Sequence, residues 1–265
     1  MHGEPSRPTE PAPGAEAEPA GNETRRRVDP LLDALFDRYW RVRVDGERYL
    51  PADGPALVIG NHSGALPFDG AVVARAVERA TGRRVRPLVA PFACRMEPFR
   101  RLLDAFEAVP ASYEAADRLL ADGEMVLLFP EGVPGTARLF HERYRLRPFA
   151  TSTARLSMDR RVPVVPFSLV GAEESAPMIG RSRRLGRAVG APYLPVTLPF
   201  PLLGPLAAVP LPTRWTLRFG PRVHLYRERR FAGGRDFEAM SERLRRTVAA
   251  QLAVDLDRRS SILFG

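Results

Sequence analysis

Two residues in the first third of the chain have the types that a proton transfer needs. His62 follows Gly60-Asn61, and Asp69 comes seven positions later. Imidazole is the side chain best suited to take a proton from a hydroxyl near neutral pH. A carboxylate bonded to its other nitrogen fixes the tautomer and steadies the imidazolium as it forms. Spacing alone does not pair them. On one continuous helix they would stand about 10.5 Å apart along the axis, so pairing requires the segment between them to fold back. Ser63-Gly64 permits a turn, and Pro67 suits the first position of a new helix. Asp69 then falls in that helix's first turn, where a carboxylate also favours the dipole. The backbone N–H groups of the Gly60-to-Ala65 turn, with Ser63 and Gly64 at its centre, are the candidate oxyanion donors. A further acid, Glu131, stands in Phe129-Pro130-Glu131-Gly132. It can hold a substrate hydroxyl or order its own turn.

Elements must position these groups. His62 lies just past the apolar run 56–59, and Glu131 just past the apolar run 125–129. If those strands are parallel, both loops open on one sheet edge, which is where open α/β sheets place their sites. Further strands are expected at 41–44, 85–90, 162–167, 215–219 and 222–225. Helices are expected at 71–80, 97–106, 148–158 and 236–257, with another capped by Ser112 and ended by Gly123. The alternation predicts an α/β fold, a mostly parallel mixed sheet flanked by helices in a single domain. Asp29-Pro30 reads as a helix start. Residues 1–28 read as a disordered tail, which leaves 29–265 as the domain. Residues 188–213 carry no charge and seven prolines, too many breaks for a spanning helix. They are expected either to pack as a loop or to face lipid headgroups or an acyl chain.

Composition narrows the chemistry. None of the 40 basic residues is Lys, so no lysine nucleophile or Schiff base is available. The formal charge of +9 favours anionic partners such as phospholipid headgroups, coenzyme A phosphates or an acidic carrier protein. The arginines are scattered and lack the aromatic-basic motifs of nucleic-acid modules, which argues against nucleic acid. Cys94 is the only cysteine, so neither an intrachain disulfide nor a cysteine metal site can form. No Gly-x-Ser-x-Gly elbow is present, which argues against a serine esterase. Neither a signal segment nor a spanning helix is recognisable, so a cytoplasmic protein is expected, peripheral on the inner face of the cell membrane.

Taken in order, these segments resemble the glycerolipid acyltransferase family that includes 1-acylglycerol-3-phosphate acyltransferases. Asn61-His62 with Asp69 is similar to its His-x4-Asp motif, and Phe129-Pro130-Glu131-Gly132 to its Phe-Pro-Glu-Gly motif. Val162 to Pro166 is similar to its Val-Pro-x-x-Pro strand, and Ala108 to Ser112 falls where its second motif is expected. The likeness covers about residues 29–225. It implies transfer of a fatty acyl group from an acyl thioester, on coenzyme A or acyl carrier protein, to a lipid or alcohol hydroxyl. His62 is then the general base and Asp69 its orienting acid, with no acyl-enzyme, metal or cofactor. Glu131, Gly132, Ser112, Arg143 and Arg145 are the implied substrate-binding residues, and a membrane surface is the implied setting. Two departures stand out. The spacing here is His-x6-Asp, and Val133-Pro134 replaces the usual Thr-Arg that helps bind an acceptor phosphate. A neutral glyceride, long-chain alcohol or other lipid is thereby favoured as acceptor, unless Arg138, Arg143 or Arg145 supplies the missing charge. The rival expectations are a thioesterase using the same pair on water, and a non-catalytic membrane lipid-binding protein.

Overall fold

The apolar runs sort by parity. In β2 (Ala56–Gly60), Ala56 and Val58 join one core cluster while Leu57 and Ile59 join the other. In β5 (Met125–Leu128), Met125 and Leu127 face the first cluster and Val126 the second. Strands that are apolar on both faces must be covered on both. Each fully buried Val, Leu or Ile contributes roughly 1.5–3 kcal/mol, so the two strands form the centre of the molecule. The computed structural model describes residues 20–63, 68–95, 97–197, 209–231 and 234–263.

The remaining strands of the main sheet are β1 (Arg43–Asp45), β3 (Val85–Val89), β4 (Val109–Pro110), β6 (Val164–Val170) and β9 (Thr216–Phe219). Their order across the seven-stranded sheet is β1-β9-β6-β2-β5-β3-β4. Neighbours are parallel except β6 and β9, which run antiparallel. This is the mostly parallel mixed sheet that the alternation predicts. α1 (Ala20–Ala34), α2 (Phe68–Thr81) and α3 (Glu97–Ala105) lie on one face. α4 (Tyr113–Ala121), α6 (Thr151–Arg160) and α9 (Phe237–Asp257) cover the other, and the single turns α5 (Val133–Thr136) and α7 (Ala172–Ser175) follow β5 and β6. Ser112 caps α4 by accepting from Ala115 N at 3.0 Å, as its position before the helix implies.

Three expectations change. Asp29-Pro30 does not start a helix, because α1 begins at Ala20 and runs through Pro30. Tertiary pairing overrides the missing proline N–H: Arg75 and Arg79 of α2 bind Asp33, Arg79 also binds Asp37, and Arg25 reaches Glu78. Residues 20–28 are therefore helical, and the rest of the expected tail lies outside the described residues. The expected strand 222–225 is reduced to one bridge, Val223 to Val164, followed by a tight 3₁₀ turn at Leu225–Arg227. Finally, the uncharged segment is not all loop. β7 (Met178–Ser182) and β8 (Leu194–Thr197) form an antiparallel pair joined through α8 (Arg183–Ala188). Pro195 sits in this two-stranded ribbon, where an edge needs no donor. Of the rest, 198–208 lie outside the described residues, while 210–213 are fixed by bonds from Tyr39 to Pro210 O and from Thr213 to Gly171 O.

Candidate active site

Register alone brings the two motifs together. β2 and β5 are parallel with Ile59 opposite Leu128, so positions three residues beyond each, His62 and Glu131, emerge level at the same edge. The His62 N–H donates to Glu131 Oε1 at 3.1 Å. Asn61 closes the other side. Its amide oxygen accepts from Leu169 N at 2.8 Å and its amide nitrogen donates to Leu169 O at 2.9 Å. A side-chain amide thus replaces a peptide unit and continues the pairing of β2 with β6 one step past the last backbone partner.

The chain folds back as the sequence requires. His62 Nδ1 stands 2.6 Å from Asp69 Oδ2, in the first turn of α2. The same carboxylate accepts from Ser63 N at 2.8 Å, through Oδ2, and from Gly70 N at 2.7 Å, through Oδ1. An ionised carboxylate only accepts, so Nδ1 carries the proton and Nε2 is left bare. Asp69 is 1% exposed, whereas the His62 side chain keeps 19% of its surface open. The imidazole is stacked on Phe129, centroids 4.2 Å apart at 16°, and Phe129 meets Phe167 edge-on at 5.9 Å. Position, tautomer and ring plane are therefore each fixed by a separate contact.

Behind the dyad lies a buried ionic cluster. Arg138 donates through Nη2 to Glu131 Oε2 and through Nη1 to Glu173 Oε1 at 2.7 Å. Glu131 Oε2 also accepts from Arg147 N at 2.7 Å, and Glu173 accepts from Tyr144 N at 3.2 Å. Burial raises the Glu173 carboxyl from 4.5 to about 7, more than Arg138 and the Tyr144 N–H lower it. The same two carboxylates hold Arg138 protonated despite its own burial. Gly132, at φ +57° and ψ −153°, occupies backbone space that side chains rarely adopt.

The candidates separate accordingly. His62, Asp69 and Glu131 meet. Glu131 does so by holding the His62 backbone, with both oxygens occupied by protein donors. The Ser63 N–H is taken by Asp69, which corrects its expected oxyanion role; Gly64 lies outside the described residues. Ser112 serves as a helix cap. Arg138 is consumed by its two glutamates. Arg143 and Arg145 line a cavity of about 420 Å³ beside Tyr144 and Arg259, where Arg143 covers the Phe140 ring at 4.6 Å. A different cavity, about 500 Å³, lies past the end of the Phe-Pro-Glu-Gly segment. Val133, Pro134 and Ala137 form its apolar side, and Arg147, Arg181 and Arg183 enter it. Sequence reasoning missed Arg181 and Arg183 because no motif surrounds them, and only the β7–β8 pairing carries them there. Among the described residues, no cluster of His, Cys, Asp and Glu is placed to hold a metal ion. No helix among them is long and apolar enough to cross a membrane.

Residues 41–170 match the family model described as Acyltransferase. An uncharacterized protein of Mycobacterium tuberculosis is 39% identical over 199 residues, 74% of this chain and 56% of the relative. The chain thus spans little more than half the length of the curated relatives it matches. A human protein named as a DGAT1/2-independent enzyme synthesizing storage lipids is 29% identical over 164 residues, 60% of this chain and 49% of the relative. The fold is shared with the crystal structure of the 1-acyl-sn-glycerophosphate acyltransferase of Thermotoga maritima. Its TM-score is 0.59 at 15% identity, covering 91% of this chain and 81% of that one.

Proposed function

We propose, from the match of residues 41–170 to the family model described as Acyltransferase, that the protein transfers a fatty acyl group from an acyl thioester to a lipid hydroxyl. The observation that carries this reading is the dyad, with His62 Nδ1 2.6 Å from Asp69 and an Nε2 that no described residue engages. In the proposed step His62 Nε2 takes the proton of the acceptor hydroxyl as its oxygen attacks the thioester carbonyl carbon. The new C–O bond forms, the C–S bond breaks, and the imidazolium returns the proton to the departing thiolate. Base, orienting acid and thiolate leaving group complete the step without a metal or cofactor. Acyl-coenzyme A and acyl carrier protein both fit as donors on the +9 chain. A lipid acceptor is supported by the name of the human relative, an enzyme synthesizing storage lipids. The site works at a membrane surface, which we place along the β7–α8–β8 ribbon, where Ile179, Leu185 and Val189 are exposed.

An acyl-transfer assay over a panel of lipid acceptors tests the proposal. His62→Ala is expected to abolish transfer while its circular dichroism stays native. Asp69→Asn keeps an acceptor for the Ser63 N–H but spoils the tautomer, and should lower kcat on the order of 10⁴-fold, as the same change does in a serine-protease triad. Near-normal turnover by His62→Ala, or free fatty acid as the sole product with every lipid alcohol supplied, would sink the reading.

A further inference from the structure

We infer that Arg138 and Glu173 are positioning residues for the general base, acting through the His62 backbone and Glu131. The inference rests on the acyl-transfer reading above and names groups that the step depends on without their touching a substrate. His62 is gripped on both sides of its Cα. Its N–H donates to Glu131 Oε1 at 3.1 Å, and its carbonyl oxygen accepts from Arg138 Nη1 at 3.4 Å. Arg138 also binds Glu131 through Nη2, so one ion pair closes a ring around the backbone of the histidine. Glu173 anchors that ring. Its Oε1 accepts from Arg138 Nη1 at 2.7 Å, and both its oxygens lie 3.2 Å from Tyr144 N. The local chain explains the reach. α5 is a single turn between Glu131 and Arg138, and it folds the guanidinium back onto a carboxylate seven residues earlier. A Cβ added at Gly135 would lie 2.7 Å from Glu131 Cβ and 3.2 Å from His62 Cβ, so the turn closes this tightly only around a glycine.

Stability does not account for this arrangement. All three side chains are buried, two carboxylates share one guanidinium, and Arg138 Nε has no partner among the described residues. Taking ions out of water costs about as much as their attraction returns, and apolar residues of similar volume often stabilise a core as well or better. An apolar cluster cannot supply an acceptor for His62 N–H together with a donor for His62 O. Charge-assisted bonds at both ends of the residue hold the imidazole 2.6 Å from Asp69 while 19% of its side chain stays open. The grip matters because misplacing a reacting group by about 1 Å can cost on the order of 10²-fold in rate. Glu173 lies beyond residues 41–170, outside the part of the chain that matches the family model.

The test is the double variant Arg138→Met/Glu173→Gln in the full chain, assayed at pH 8. Methionine fills the space of the guanidinium without a donor, and glutamine still accepts from Tyr144 N. Glu173 is ionised at that pH, so the cluster keeps one negative charge, now on Glu131 alone. Per folded molecule, kcat is expected to fall about 10- to 100-fold while KM stays within about threefold. Arg138→Lys keeps the charge but not the fork that spans Glu131, Glu173 and His62 O, and should lower kcat in the same sense by less. Asp255→Asn is the control. It neutralises another buried carboxylate, bonded to Ser168 Oγ and to Arg218 Nε at 2.6 Å each, and should leave kcat per folded molecule unchanged. A second readout needs no turnover. Nitrogen NMR on isotope-labelled histidine, with the His62 signal identified by its loss in His62→Ala, should show one tautomer in wild type and in Asp255→Asn. The double variant should show both. Unchanged kcat per folded molecule with a single tautomer in both Arg138 variants overturns the inference. So does failure of both to fold where Asp255→Asn folds, since Arg138 then holds the fold and not the base. A mixed tautomer in the double variant, without transfer by wild type to any acceptor, sinks the acyl-transfer reading and leaves the positioning role standing.

Discussion

Arg138 faces two carboxylates with one charge. Glu131 and Glu173 both bond to it in a nearly dry interior, so the cluster is one negative charge in excess. Removing a charge from water is costly, and a proton on one acid relieves the excess. Burial is the largest cause that lifts the Glu173 carboxyl to about 7, and the neighbouring carboxylates of Glu131 and Glu174 add to it. Besides Arg138, the charged and titratable groups around it are Glu131, Glu174 and Tyr144, whose hydroxyl burial and Glu174 push well above its ordinary value. The sign of the pH effect follows. An unfolded Glu173 ionises at 4.5 while the folded one waits until about 7, so folding favours the protonated acid. This stabilisation is complete below 4.5 and is lost as pH rises through 7. Glu173→Gln keeps an acceptor for Arg138 and never ionises. Its Tm relative to wild type should therefore climb between pH 5 and pH 8. Thermal unfolding at both pH values measures this, and a difference that stays flat would show that Glu173 is already charged at the lower value.

At the next scale, β2 ends in a glycine for a reason of volume. A Cβ on Gly60 would lie 2.3–2.6 Å from three carbons of the Phe167 ring. Phe167 supports Phe129, and Phe129 is the floor on which His62 stacks. Gly60→Ala is expected to destabilise by about 1–3 kcal/mol through overpacking. Activity should fall more than the unfolded fraction accounts for, because the displaced ring moves the imidazole. Phe167→Leu in the same chain should restore part of both, as a double-mutant cycle would show. The central strands and the pairing of His62 with Asp69 were legible because each depends on local chemistry: apolar parity, and an acid in a first helical turn. Other features were not, because their cause lies elsewhere in the chain. Pro30 reads as a helix start until Arg75 and Arg79 of the neighbouring α2 hold Asp33. Pro195 hides β8 until β7 pairs with it. Glu131 reads as a substrate ligand until the β2–β5 register sets its carboxylate beneath the His62 N–H. Arg138 reads as a replacement for the missing acceptor-binding charge until two glutamates enclose it.

Viewed whole, the molecule has a ribbon that serves two surfaces at once. The β7–α8–β8 ribbon supplies Arg181 and Arg183 to a cavity walled by Val133, Pro134 and Ala137. It also exposes Ile179, Leu185 and Val189, with Arg184 and Arg187 exposed in the same stretch. Apolar side chains set among arginines suit the boundary between headgroups and acyl chains of an anionic bilayer. Each arginine near an anionic leaflet contributes about 1 kcal/mol, and the attraction fades with salt. The protein is therefore expected to sediment with vesicles rich in anionic phospholipid and to be released as ionic strength rises. Arg184→Gln/Arg187→Gln leaves the cavity arginines in place and should weaken this partitioning by about tenfold or more. Leu185→Asp/Val189→Asp should weaken it even at low salt, because it removes the apolar contribution instead. Both variants should keep turnover on acceptors dispersed in detergent, since neither touches the dyad. Binding that ignores both pairs of substitutions would move the membrane-facing surface away from the ribbon.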